Sequence, residues 1–187
     1  MSETESLILD ATIGAVSQFG MRRTSMTDIA KRAGVSRQTV YNAFGNKDEI
    51  FRAAMIHMAN LSEQKARQKI VQATNLSEQL DVMFEIFAIE PFKFSQNKND
   101  SEDIFADAAI IAKDALDGFH VIVKNLYAEL FKPFARQLSD KEMTPKNLAD
   151  QVDSACQGLK KNARSVRHLK ELLKIQKALI LSVIETE

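Results

Sequence analysis

TSMTDIAKRAGVSRQTVYNAFGNK, residues 24–47, holds two short helical patterns and the turn between them. Ser25 precedes Asp28 by three residues, a capping-box start in which Asp stands where Glu is the stronger partner. The first helix runs to Arg32 or Ala33 and stops at Gly34. Ser36 caps the second, which runs through Phe44 until Gly45-Asn46 breaks it. The spacing of Ala30, Gly34 and Val40 has a physical cause. Ala30 must be small where two helices cross closely. Gly34 supplies the backbone conformation of a tight turn. Val40 and Ile29 plug the space between the helices. The second helix then turns Arg37, Gln38, Thr39, Tyr41 and Asn42 outward. Hydrogen-bonding side chains over an apolar back are what a helix needs to read the major groove of DNA.

Charge is distributed to match. The whole chain of 187 residues has a formal net charge of zero, with 25 basic and 25 acidic residues. Between Gly20 and Lys47, however, Arg22, Arg23, Lys31, Arg32, Arg37 and Lys47 face the single acid Asp28, a net +5. Residues 75–110 carry eight acids against two bases, a net −6. A basic segment in a neutral protein is the footprint of one region that touches phosphate and a remainder that must not. The acidic segment reads first as a solvated face and second as a site for a cationic ligand. Arg22 and Arg23 read first as loop charges that add non-specific attraction and second as base contacts.

The stretch resembles the DNA-binding domain of the TetR family of repressors. The matching residues are Phe19-Gly20, Thr24-Ser25, Ile29-Ala30, Ala33-Gly34-Val35-Ser36, Thr39-Val40-Tyr41, Phe44, Lys47 and Ile50-Phe51. The resemblance spans residues 9–54, under a third of the chain. It implies roles at matching positions. Thr27 contacts phosphate or an adjacent base, and Ser36 caps the recognition helix and donates to phosphate. Arg37 and Gln38 point into the groove, suited to guanine and adenine respectively. Thr39 lies on the same helix. Tyr41 and Asn42 hold phosphate or a thymine methyl edge, and Lys47 holds a further phosphate at a helix N-terminus. Ala43 stands where many members have a histidine, so one backbone contact is lacking.

Outward from this motif the chain is helical almost throughout, and an all-α fold of about nine helices is expected. Residues 1–50 form the helix-turn-helix head and residues 51–187 a ligand-binding and dimerisation body. The first helix spans Glu5–Gln18, with Leu7, Leu9, Ile13, Val16 and Phe19 as its apolar positions. A long fourth helix runs from Lys47 to Ala73. Ser77–Glu90 is apolar on more than one face, as a helix buried between others is, and Pro91 ends it. Ser95–Asp100 is a polar loop. Helices follow over Ser101–Lys113 and Ala115–Leu138, the second with Pro133 as the place for a kink. After a loop at Ser139–Pro145, the last two helices cover Lys146–Asn162 and Ser165–Glu185.

The resemblance also implies a homodimer, a palindromic operator in double-stranded DNA, and a small-molecule effector that releases a repressor from it. Phe84, Phe87, Phe105, Phe119 and Val123 are the candidate cavity lining. Val152, Leu159, Leu169, Leu172, Leu173, Leu179, Ile180 and Val183 are the candidate dimer interface, because the last helices carry more apolar surface than one monomer needs. Two alternatives stay open: a DNA-bound regulator with no ligand, and a helical binding protein with an idle head.

Other classes find little support. No phosphate loop, nucleophile elbow or paired catalytic side chains occur, so no enzyme and no cofactor is expected. His57, His120 and His168 lack ligand spacing, and no metal is expected. The lone Cys156 suits a reducing compartment and reads as a buried structural thiol before a redox sensor. The acidic N-terminus is no signal peptide and no apolar run approaches a membrane span. Together these point to the bacterial cytoplasm, with the protein on the nucleoid when bound to DNA.

Overall fold

The computed structural model describes residues 1–96 and 112–184. Every regular element among them is helical: α1 (Glu3–Phe19), α2 (Met26–Ala33), α3 (Arg37–Phe44), α4 (Lys47–Ile70), α5 (Leu76–Phe84), α6 (Glu90–Gln96), α7 (Lys113–Phe131), α8 (Ala135–Ser139), α9 (Pro145–Asn162) and α10 (Val166–Ile184). A π turn at Glu85–Ile89 joins α5 to α6, and a 3-10 turn at Lys132–Phe134 joins α7 to α8. Two compact units emerge, Met1–Leu61 with Phe94–Phe119, and Ser62–Lys93 with His120–Glu187.

The first unit contains the head. Its core is built from Ile8, Leu9, Ala11 and Ala15 of α1, Ile29, Ala30 and Ala33 of α2, Val40 of α3, and Ile50, Phe51 and Ala54 of α4. The buried stripe of α1 differs from the expected one. Leu9 is buried and Ile13 and Val16 are packed against the core, but Leu7 and Phe19 are exposed. The stripe runs instead through Ile8, Ala11, Thr12 and Ala15, whose i, i+3, i+4, i+7 spacing fits one helical face. Buried Thr12 satisfies its hydroxyl by donating to the Ile8 carbonyl at 2.8 Å. The helix also starts earlier than expected. The Ser2 hydroxyl accepts from the Glu5 amide while the Glu5 carboxylate accepts from the Ser2 amide, a complete capping box.

In the second unit α9 packs on α10, α10 on α5 and α8, and the π turn on both α9 and α10. The buried residues include Leu80, Met83 and Phe84 of α5, Val123, Leu126 and Tyr127 of α7, Val152 of α9, and Leu169 and Leu173 of α10. Pro133 sits where α7 gives way to the 3-10 turn, the expected kink.

Pro91 does not end the preceding helix, contrary to expectation. The π turn shifts the hydrogen-bond register, with the Glu90 amide donating to the Glu85 carbonyl, and helical winding restarts. Pro91 thus falls in the first turn of α6, where its missing N–H is tolerated. The Lys160 ammonium reaches across from α9 to the Phe87 carbonyl at 3.3 Å. Helix α4 ends at Ile70, three residues before the expected limit, and Ser95 and Gln96 belong to α6. The rest of the expected polar loop and nearly all of the expected Ser101–Lys113 helix lie outside the described residues.

Candidate nucleic-acid interface

The turn between α2 and α3 forms as its residues dictate. The Ser25 hydroxyl accepts from the Asp28 amide at 3.2 Å and the Asp28 carboxylate accepts from the Ser25 amide at 2.9 Å. The Ser25 hydroxyl also donates to the Asp28 carboxylate at 2.6 Å, and this bond first, with the one from the Ser25 amide, holds the Asp28 carboxyl below its ordinary range. Gly34 adopts φ 69° and ψ 25°, the left-handed conformation that ends α2. The Val35 amide then folds back to the Ala30 carbonyl at 3.1 Å. Ala30 is 4% exposed, and Ile29 and Val40 are fully buried between the helices.

This packing leaves one face of α3 to solvent. Its side chains pair one turn apart. The Ser36 hydroxyl accepts from the Thr39 amide at 3.0 Å and caps the helix. The Arg37 guanidinium donates to the Tyr41 hydroxyl at 3.2 Å and lies 5.2 Å from the ring centroid. The Gln38 amide donates to Asn42 Oδ1 at 2.7 Å. Arg37, Gln38 and Asn42 are exposed; Thr39 and Tyr41 are half-buried, Tyr41 against the head core.

Helix α4 begins beside this face. Asn46 Oδ1 accepts from the amides of Asp48 and Glu49, both at 3.0 Å, and so caps α4. The Lys47 ammonium donates to the Arg22 carbonyl at 2.9 Å and lies 5.3 Å from the Phe51 ring centroid. An open concavity of about 340 Å³ results, lined by Arg22, Arg23, Thr24, Ser25, Met26, Thr27, Arg37, Tyr41, Asn46 and Lys47. Four of the ten are cations and none is an acid. Thr27, Arg37, Tyr41 and Lys47 of the residues expected from the sequence meet there, whereas Ser36, which caps α3, and Gln38, Thr39 and Asn42 on α3 lie outside it. Arg22 and Arg23, expected as loop charges, line the surface as well, and Asn46 joins it unannounced by the sequence. The Lys47 to Arg22 bond that draws the loop in spans 25 residues, beyond any local pattern.

The other candidate residues are placed differently. Phe84, Phe87 and Val123 are buried in the second unit, Phe119 is half-buried in the first, and Phe105 lies outside the described residues. A second open concavity, about 430 Å³, is lined by Asn125, Ala128, Glu129, Lys132, Thr144, Pro145 and Lys146, and not by Phe84, Phe87, Phe119 or Val123. Of the interface candidates, Val152, Leu169, Leu173 and Ile180 are buried within their own unit. Leu159, Leu172 and Val183 are half-buried, and Leu179 is 57% exposed, with Ile175 one turn before it at 60%. His57 Nε2 pairs with Asp10 at 3.0 Å, and His120 Nδ1 lies 3.2 Å from Asp153. His168 Nδ1 accepts from the Arg164 amide at 3.2 Å.

Residues 8–54 match the model of the family described as bacterial regulatory proteins, tetR family. The head of the chain thus matches the TetR family. The HTH-type transcriptional regulator YhgD of Bacillus subtilis, itself uncharacterized, is 32% identical over 91 residues, which are 49% of this chain and 47% of that protein. The HTH-type transcriptional regulator TtgR of Pseudomonas putida is 35% identical over 65 residues, 35% of this chain and 31% of that one. The matched region thus spans less than half the length of these relatives. A TetR transcription regulator from Haloarcula marismortui shares the fold, with a TM-score of 0.75 at 13% identity over 99% of this chain and all of that one. The expectation of a regulator rather than an enzyme agrees with these relatives. Among the described residues no helix is long and apolar enough to cross a membrane.

Proposed function

We propose that this chain is a transcriptional regulator that binds a palindromic DNA operator as a homodimer and leaves it, as a repressor does, when a small-molecule effector occupies its helical body. The observation that carries the reading is the polar face of α3, continuous with a concave surface of four cations on the family-matched head. Arg37 and Gln38 serve base edges at the helix N-terminus, Ser36, Thr39, Tyr41 and Asn42 flank them, and Thr27, Lys47, Arg22 and Arg23 serve phosphates. Dimerisation is supported by Leu172, Ile175 and Leu179, which follow one another at i, i+3, i+7 on α10 and leave an apolar stripe in solvent. An effector acts only by binding the two states of the dimer with different affinity. A regulator without an effector is the second reading. It is favoured by the close burial of Phe84, Phe87 and Val123, at 3%, 4% and 2% exposure.

The test is selection of bound sequences from a random duplex pool at physiological salt. A recovered palindrome establishes a dimeric reader; binding without any motif, lost as salt rises, sinks the reading. On the recovered site Lys47→Ala lowers affinity for all sequences and reduces the salt slope by about one. Arg37→Ala instead relaxes preference at one base position, by ~1–3 kcal/mol.

A further inference from the structure

The two side-chain pairs on α3 have unequal consequences. Arginine has five N–H donors, so the one that Arg37 gives to Tyr41 leaves enough for a bidentate contact. The Gln38 amide has only two N–H groups and one carbonyl oxygen, and Asn42 Oδ1 takes one of the N–H groups at 2.7 Å. What remains is one donor and one acceptor. Adenine presents one acceptor, N7, and one donor, N6–H, in the major groove, whereas guanine presents two acceptors, N7 and O6. An unrestrained glutamine can turn both N–H groups to guanine. A glutamine held by Asn42 can turn only one, and its Oε1 then meets O6, acceptor against acceptor.

We propose that Asn42 is a positioning residue that makes Gln38 select adenine over guanine, and that it does so through the Gln38 amide rather than by gripping DNA itself. The inference rests on reading α3 as the major-groove helix. Helical spacing supports it: residues four apart lie on one face, and a Gln to Asn hydrogen bond there is favourable in itself. The bond also fixes the sense of the amide, with Nε2 toward Asn42 in the C-terminal half of α3. Both residues are exposed, so neither supports the core and variants at either keep the fold.

The experiment uses the full chain and the duplex recovered by selection, with every base pair replaced in turn. Wild type, Gln38→Ala, Asn42→Ala and Asn42→Asp are compared for affinity to each duplex. Gln38→Ala flattens the preference at one position. Asn42→Ala leaves the base preferences at all other positions as in wild type. At the Gln38 position, however, it lowers the preference for adenine over guanine by on the order of tenfold. Asn42→Asp keeps the acceptor, and so keeps that preference, while its negative charge weakens every duplex alike. The proposal is overturned by an Asn42→Ala effect at a different base pair, which would make Asn42 a reader in its own right. It is equally overturned by a uniform loss on all duplexes, which would make Asn42 a phosphate contact. Wild type that selects no sequence removes the major-groove reading and this inference together, an outcome distinct from either.

Discussion

The exposed face of α3 and the second unit use polar side chains in different ways. On α3, Arg37 bonds to Tyr41 and Gln38 to Asn42, each within one helical turn and in solvent. In the second unit, polar groups join elements far apart in the chain. The Lys177 ammonium reaches both Asp81 oxygens at 2.7 Å, and Arg67 grips Glu129 through two bonds of 2.7 and 3.1 Å. Other polar groups of the second unit are buried. Asp153 is 5% exposed and accepts from Gln157 at 2.8 Å, beside His120. Tyr127 is fully buried next to Cys156, stacked on Phe131. Burial pushes the Cys156 thiol up to about 11 and the Lys160 ammonium below its ordinary range. A surface meant for a partner keeps its hydrogen-bonding capacity loosely committed. An interior spends that capacity on its own packing.

The sharpest contrast is in stability. Leu169 is fully buried, and Leu169→Ala removes its methyl groups from the core of the second unit. The expected cost is ~2–5 kcal/mol, seen as a fall in the midpoint of chemical unfolding followed by circular dichroism. Gln38→Ala, on the exposed face, stays within about 0.5 kcal/mol in the same measurement. Comparable losses from the two would end the contrast. A somewhat smaller effect separates the two regions in alkali. The Cys156 thiol is neutral in both folded and unfolded states below its ordinary value of 9.0. As pH rises, the unfolded chain releases this proton first, because burial holds the folded thiol to about 11. Stability is therefore whole below about pH 9 and falls until about pH 11, by about 2–3 kcal/mol in all. Cys156→Ala lacks that decline, and the difference between the two proteins across the range isolates it. A folded wild type that reacts with a thiol reagent at neutral pH as fast as a free thiol would show that Cys156 is not shielded.

The same contrast explains what can be read in the amino-acid sequence. Ser25 with Asp28, Gly34, Ser36 and the Gly45-Asn46 break act on backbone groups within four residues of themselves, so their text predicts α2 and α3 to within a residue. The stripe of α1 is harder to read. Leu7 and Phe19 are more apolar than Ala11 and Thr12, yet the smaller residues face the core because α2 approaches closely there. In the second unit, Pro91 reads as a stop. The π turn that accommodates it depends on packing against α9 and α10, more than 50 residues away in the chain. The concavity at the head shows both cases. Thr27, Arg37 and Lys47 follow from the motif, while Arg22 and Arg23 are brought in by a bond from Lys47 to a backbone carbonyl that no side-chain pattern encodes.

The smallest effect tests whether the head is as locally organised as α3 suggests. Gly14 lies in the middle of α1, where glycine costs about 0.5–1 kcal/mol relative to alanine. A Cβ there would meet Arg32, with Nε at 2.5 Å and Nη2 at 2.7 Å. Arg32 crosses from α2 to α1 and donates to Gln18 Oε1 at 3.1 Å. Two outcomes are physically distinct. The Arg32 side chain is exposed and its crowded atoms are the far end of a flexible chain, so it can swing into solvent at the loss of one surface hydrogen bond. The helix-propensity gain then offsets that loss, and Gly14→Ala changes stability by less than about 1 kcal/mol, in the favourable direction, with DNA affinity unchanged. If unfolding instead shows a loss of about 2 kcal/mol or more, accompanied by weaker DNA binding, then Arg32 is fixed against α1. The head would in that case depend on a second long-range polar contact besides the Lys47 to Arg22 bond, and local bonding would describe the face of α3 alone.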